Sequence, residues 1–139
     1  ELFSAAHTEF KHLEFFYFHN CVYERLWKDN SRRRHDTVDL DEIIRTFGSD
    51  YKVIFVGDAT MGPYEIVAPG GSVEHWNEKP GLEYMRKILA HFTKVAWLNP
   101  QPENQWDYYH SISIIKDIIS DKMFPLTVDG IGRAIKEIS

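Results

Sequence analysis

The chain has 139 residues, a net charge of −5, 43% apolar and 14% aromatic residues. This length suits one domain, 1–139, with an ordinary globular core, and the acidic balance argues against nonspecific nucleic-acid binding, which rests on neutralising phosphates with Lys and Arg. A single cysteine, Cys21, excludes an intrachain disulfide and fits a reducing, cytoplasmic setting; no apolar run approaches the ~20 residues that span a bilayer.

Residues 2–12 read as a helix, with Leu2, Phe3, Ala6 and Phe10 on one stripe. The chain opens on Glu1-Leu2-Phe3-Ser4 rather than Met, and is expected to be N-terminally incomplete. Leu13 to His19 is a continuous aromatic run that suits a buried strand, and Val22 to Trp27 is a second strand. Only Asn20 and Cys21 separate them, a link that permits a hairpin but no parallel crossover, so the pair is expected to be antiparallel. Residues 28–36 are polar, and Arg32-Arg33-Arg34-His35 within them reads as a solvated loop.

A helix follows, with Leu40, Ile43, Ile44 and Phe47 on one face and Gly48 as its C-cap. Tyr51 to Val56 is the clearest strand, an unbroken apolar run of the kind that lies between two helical layers in a parallel sheet. Residues 61–80 are rich in Gly and Pro, with a short helix from Pro63 to Val67 ended by Pro69-Gly70-Gly71. Leu82 to Phe92 is a helix, Val95 to Leu98 a strand, Gln105 to Ile119 a helix, and Met123 to Val128 a last strand or extended piece. A terminal helix starts at Asp129. Helices alternating with buried strands predict an α/β fold: a three-layer, mostly parallel open sheet, Rossmann-like, with one antiparallel edge strand.

In such sheets ligands bind beyond the carboxyl ends of the strands. Asp58 follows the strongest strand there, after a Gly57 that lets the backbone turn, and an Asp so placed can hold Mg²⁺, which takes a few oxygen ligands and keeps several waters. The competing role for Asp58 is to cap the following turn. Asp36, Thr37, Asp39 and Asp41 stand before the second helix, where N-capping is their ordinary work; a Thr37 hydroxyl at that helix start could also reach an ion held by Asp58. The seven histidines lack zinc spacing, and His19-Asn20-Cys21 offers too few ligands for a closed zinc site; His75 and His110 read as structural. No Gly-x-Ser-x-Gly elbow, phosphate-binding loop or close carboxylate pair points to catalysis, so the chain is not expected to be an enzyme.

Longer strings carry a resemblance. Glu1-Leu2-Phe3-Ser4-Ala5-Ala6, Glu9-Phe10-Lys11-His12-Leu13-Glu14, Phe16-Tyr17-Phe18-His19-Asn20-Cys21 and Val53-Ile54-Phe55-Val56-Gly57-Asp58-Ala59 resemble bacterial von Willebrand factor A-like proteins of the CoxE-like group. Met61-Gly62-Pro63-Tyr64-Glu65-Ile66 and Gly70-Gly71-Ser72-Val73-Glu74-His75 add to the match. The resemblance implies a metal-ion-dependent adhesion site (MIDAS) holding Mg²⁺ or Mn²⁺, built from an Asp-x-Ser-x-Ser-like loop after the first strand, a Thr from a second loop and an Asp from a third. Asp58 matches the third-loop Asp. Thr37 is the nearest match to the Thr, although aligning the apolar positions puts Val38 there. The first loop has no counterpart, so the site is expected to be incomplete in this chain. The strand that precedes that loop in the family would lie beside residues 13–19 and 51–56, and its place is expected to be filled by a strand from outside the numbered chain or by a neighbouring copy. The function implied is a protein-interaction module that captures a partner's carboxylate through the ion, with a MoxR-type AAA+ ATPase as partner in assembling or maturing other proteins, away from nucleic acid and membrane. The alternatives are a metal-dependent phosphohydrolase and a metal-free scaffold working through sheet edges and the surface near Trp76, Trp97 and Trp106.

Overall fold

The computed structural model describes residues 12–29, 36–69 and 79–139. The helix expected over residues 2–12, the basic run 32–35 and Trp76 lie outside them. In chain order the elements are β1 (Arg25–Trp27), β2 (Thr37–Asp39), α1 (Leu40–Thr46), β3 (Lys52–Val56), α2 (Pro63–Val67), α3 (Gly81–His91), β4 (Lys94–Asn99), a 3₁₀ helix (Glu103–Tyr108), α4 (His110–Ile118), β5 (Met123–Pro125) and α5 (Val128–Ile138). The α/β class expected from the sequence is what the chain adopts, with the strands divided between a three-stranded parallel sheet and a two-stranded antiparallel one.

The parallel sheet has the order β3-β4-β5, with Phe55 opposite Trp97 and Trp97 opposite Met123. Parallel neighbours need long crossovers; α2 and α3 make the first and α4 the second. Side chains alternate between faces. On one face Phe55, Val95, Trp97 and Met123 join Met85, Ile88, Phe92, Ile112 and Ile115 in the larger core. On the other, Ala96 and Leu98 pack against Ala134 and Ile138 of α5. Trp97 stacks on Phe55 with ring centroids 5.0 Å apart, and Phe18 meets both rings edge-on. β4 is therefore central and buried along all but its first residue.

Two expectations need correction. Tyr51–Val56, expected to be covered on both faces, is covered on one. Phe55 is buried, but Ile54 and Val56 are 36% and 37% exposed, because β3 lies at the edge of the described sheet and α5 covers β4 and β5. The hairpin of residues 13–19 and 22–27 is also cut short. Residues 13–19 meet the second run only at isolated antiparallel bridges, Tyr17 with Trp27 and His19 with Cys21. Tyr17 and Trp27 exchange two backbone hydrogen bonds of 2.7 and 3.0 Å. Asn20 turns with φ of 62°, and Cys21, Val22 and Tyr23 are then all buried instead of alternating, which takes them out of a ladder. The regular partner of β1 is β2, from the residues expected to cap the second helix, where buried Leu26 faces buried Val38.

The last helix-turn region follows the sequence more closely. The helix expected over 105–119 divides at Tyr109 into the 3₁₀ helix and α4. Thr127 caps α5 by accepting a hydrogen bond from the Gly130 amide at 3.0 Å, as an N-cap threonine should. Gly130 is required there: a Cβ would fall on the Pro125 carbonyl oxygen.

Candidate functional site

β3, β4 and β5 run in one direction, so their carboxyl ends form one rim. The loop Gly57–Gly62 leaves β3 at that rim. Three consecutive carbonyls in it are tied by side chains from the core. The Trp97 indole N–H donates to Gly57 O at 2.8 Å, the Asn99 amide donates to Asp58 O at 2.9 Å, and the Ser111 hydroxyl donates to Ala59 O at 2.6 Å. Ser111 Oγ also accepts from the Met61 amide at 3.2 Å. Trp97, Asn99 and Ser111 are each 2% exposed or less, so these bonds form where water does not compete. Asn99 is anchored in turn, since its Oδ1 accepts from the Gln101 amide at 2.9 Å.

This fastening holds an uncommon backbone. Ala59 has φ of 57°, in the left-handed region that a side chain disfavours. The surroundings over-determine the turn, which is how such conformations persist. The outcome is an exposed Asp58 whose Oδ1 accepts from the Thr60 amide at 3.1 Å. Asp58 thus caps its own turn through Oδ1, as an Asp after a strand end can.

Thr37 is the exposed first residue of β2, opposite Trp27, in the antiparallel sheet rather than at the start of a helix. No hydrogen bond or ion pair joins it to Asp58 among the described residues. The N-cap of α1 is Asp39, which makes no side-chain capping bond and lies 3.7 Å from Arg25 in an exposed ion pair. Among the described residues, no three His, Cys, Asp or Glu side chains are grouped as a metal site would need. Asp58 is therefore the single carboxylate that this rim loop offers an ion.

A second polar cluster centres on Glu65 of α2, and no local sequence pattern points to it. Glu65, 6% exposed, accepts from the Tyr23 hydroxyl at 2.8 Å on Oε1 and from the Asn20 amide at 3.1 Å on Oε2. Cys21 lies beside it and donates to the Met61 thioether at 3.2 Å. Burial, aided by the Glu65 carboxylate and opposed by a hydrogen bond involving Tyr23, pushes the Cys21 thiol up to about 12. A thiol so held stays protonated at neutral pH and is neither a nucleophile nor a ready metal ligand. The cluster joins the 20–23 turn to Glu65 in the first turn of α2, four residues past Met61, and so supports the end of the rim loop. An open groove of about 460 Å³ between residues 14–17, β2 and α1 includes none of these groups.

Compared with protein-family models, with curated proteins and with solved structures, the chain matches none of them. No helix among the described residues is long and apolar enough to cross a membrane.

Proposed function

We propose that the chain is a protein-binding module that docks its partner on the carboxyl rim of the parallel sheet, with Asp58 lending a carboxylate to a divalent cation there. What supports the reading is the pinned rim loop. A backbone in a disfavoured conformation, fastened at three carbonyls by buried side chains, presents one exposed carboxylate at the end of a sheet where α/β folds bind ligands. The resemblance to the von Willebrand factor A-like proteins of the CoxE-like group supplies the rest: Mg²⁺ or Mn²⁺ as the ion, and a MoxR-type AAA+ ATPase as the partner class.

The described donors fit an ion shared with a partner and do not fit a closed site. Mg²⁺ is commonly held by one or two carboxylates with waters completing its shell. With Asp58 alone, binding is weak; a partner carboxylate in an open position strengthens it and makes the ion a bridge. The test is a Mn²⁺ titration followed by water-proton relaxation. Weak binding to the wild-type chain that disappears in Asp58→Ala is the expected result. Equal binding by Asp58→Ala sinks the metal reading. Thr37→Ala in the same titration decides whether that hydroxyl takes part: a weakened response makes it a ligand, an unchanged one leaves Asp58 as the protein's contribution.

A further inference from the structure

The three most exposed large apolar or aromatic side chains among the described residues are Val128 at 91%, Tyr108 at 82% and Tyr64 at 73%. They come from three separate stretches of sequence, yet each lies on the connection that leaves the carboxyl end of a parallel strand. Tyr64 is in the first turn of α2 after β3, Tyr108 ends the 3₁₀ helix after β4, and Val128 opens α5 after β5. Tyr64 and Tyr108 both flank the pinned loop. Tyr64 is three residues beyond Met61, and Tyr108 is three residues before Ser111, whose hydroxyl holds Ala59 and Met61. Exposed tyrosines grouped on one end of a domain are what interface centres are made of.

The charges around them have one sign. Residues 57–69, 100–109 and 126–129 contain no lysine or arginine, and their exposed charges are Asp58, Glu103, Asp107 and Asp129. The nearest cations on these elements are committed inward or to a neighbour. Arg133 pairs with Asp129 at 3.7 Å, one turn along α5, and Lys116 lies 5.5 Å above the Trp106 ring. Lys79, exposed before α3, lies outside these three segments. The other end of the sheet carries both signs: Lys52 and Lys94 open β3 and β4 and Lys122 immediately precedes β5, while Asp50 and Asp121 stand beside them and Glu137 lies 3.7 Å from Lys122.

We propose that the partner docking on this rim presents a basic protein segment, with lysines or arginines interspersed among apolar side chains. Its cations oppose Glu103 and Asp107 and lie over the faces of Tyr64 and Tyr108, while its apolar groups cover Val128. Charge complementarity of this kind selects the partner and speeds its arrival. A carboxylate that completes an ion at Asp58 then comes from within a basic surround; a uniformly acidic partner is repelled. The inference rests on the reading that the rim is the docking surface, and not on the ion.

The test is fluorescence anisotropy with labelled synthetic peptides, one alternating lysine and leucine and one alternating glutamate and leucine, each titrated with the 139-residue chain in Mg²⁺ and in chelator. The lysine peptide is expected to bind and the glutamate peptide not. The paired exposed reversals Glu103→Lys with Asp107→Lys are expected to weaken lysine-peptide binding by about tenfold or more, and Tyr64→Ser with Tyr108→Ser to weaken it without any change of charge. Asp50→Lys with Glu137→Lys makes the same change in net charge at the opposite end of the sheet, and is expected to alter binding by less than about twofold. Binding of the glutamate peptide as tightly as the lysine peptide, or an equal loss from reversals at either end, overturns the inference. The chelator arm keeps the two readings apart: a missing Mg²⁺ effect with the rim preference intact counts against the ion and for the basic partner.

Discussion

Cys21 departs far from the ordinary behaviour of a thiol, and the consequence is a pH dependence of known sign. The thiol's ordinary value is 9.0 and burial raises it to about 12. Above pH 9 the unfolded chain releases a proton that the folded chain keeps, so the folded state binds more protons and stability falls as pH rises. The stabilisation is complete below pH 9 and is lost between pH 9 and about 12. Urea unfolding at pH 7.5 and pH 10 is expected to show a loss of stability for the wild-type chain that is smaller in Cys21→Ala; equal losses in both would show that the thiol titrates elsewhere. Ala59 makes the opposite kind of point at the same scale. Its strain is local, about 1–2 kcal/mol for a left-handed residue bearing a side chain, and the hydrogen bonds from Trp97, Asn99 and Ser111 offset it.

Among the elements, α5 depends on a close approach. Gly130 in its first turn lies against the Pro125 carbonyl at the end of β5, where a Cβ has no room. Gly130→Ala should therefore destabilise the fold by about 1–3 kcal/mol through overpacking, although alanine is the better helix former, and thermal unfolding would register a lowered midpoint. Gly132→Ala, where a Cβ meets nothing within 4 Å, serves as the contrast and should be neutral or stabilising. The elements were the part of this protein most open to a reader of its sequence. Tyr51–Val56, Val95–Leu98 and the helices around Met85, Ile112 and Ile135 follow from apolar periodicity, because each buries a face of regular spacing. The antiparallel strands were harder to place. β1 and β2 have three residues each, too short for alternation to declare itself, and Asn20 breaks the run with a backbone turn that composition does not reveal. At the site, the position of Asp58 at a strand end was legible from the Gly57 break after an apolar run. The Ser111 and Asn99 bonds that hold its loop span 52 and 41 residues of sequence, and no local pattern encodes them.

At the scale of the whole molecule, the rim loop and the antiparallel sheet share one support. Glu65 takes bonds from Tyr23 and Asn20, 42 and 45 residues earlier in the chain, and so ties the segment leading into β1 to the helix that follows the rim loop. Glu65→Leu removes the acceptor of both bonds and should cost about 2 kcal/mol or more, whereas Glu65→Gln keeps an oxygen for Tyr23 and should cost less. Hydrogen exchange would locate the damage: faster exchange of the Leu26 and Trp27 amides together with those of residues 60–65 is expected, and loss confined to one side would mean the two parts are held by other means. The charge at the carboxyl rim reaches beyond the surface itself. The segments that follow β3, β4 and β5, residues 57–69, 100–109 and 126–129, bring the exposed acids Asp58, Glu103, Asp107 and Asp129 and no lysine, on a chain whose net charge is −5. For a cationic partner docking on this rim as proposed, these acids favour approach toward the loops carrying Asp58 and Tyr108 before contact is made. Such guidance acts on encounter rates more than on residence times, fades as added electrolyte shortens the field, and exists because strands laid side by side in one direction keep their two ends chemically distinct.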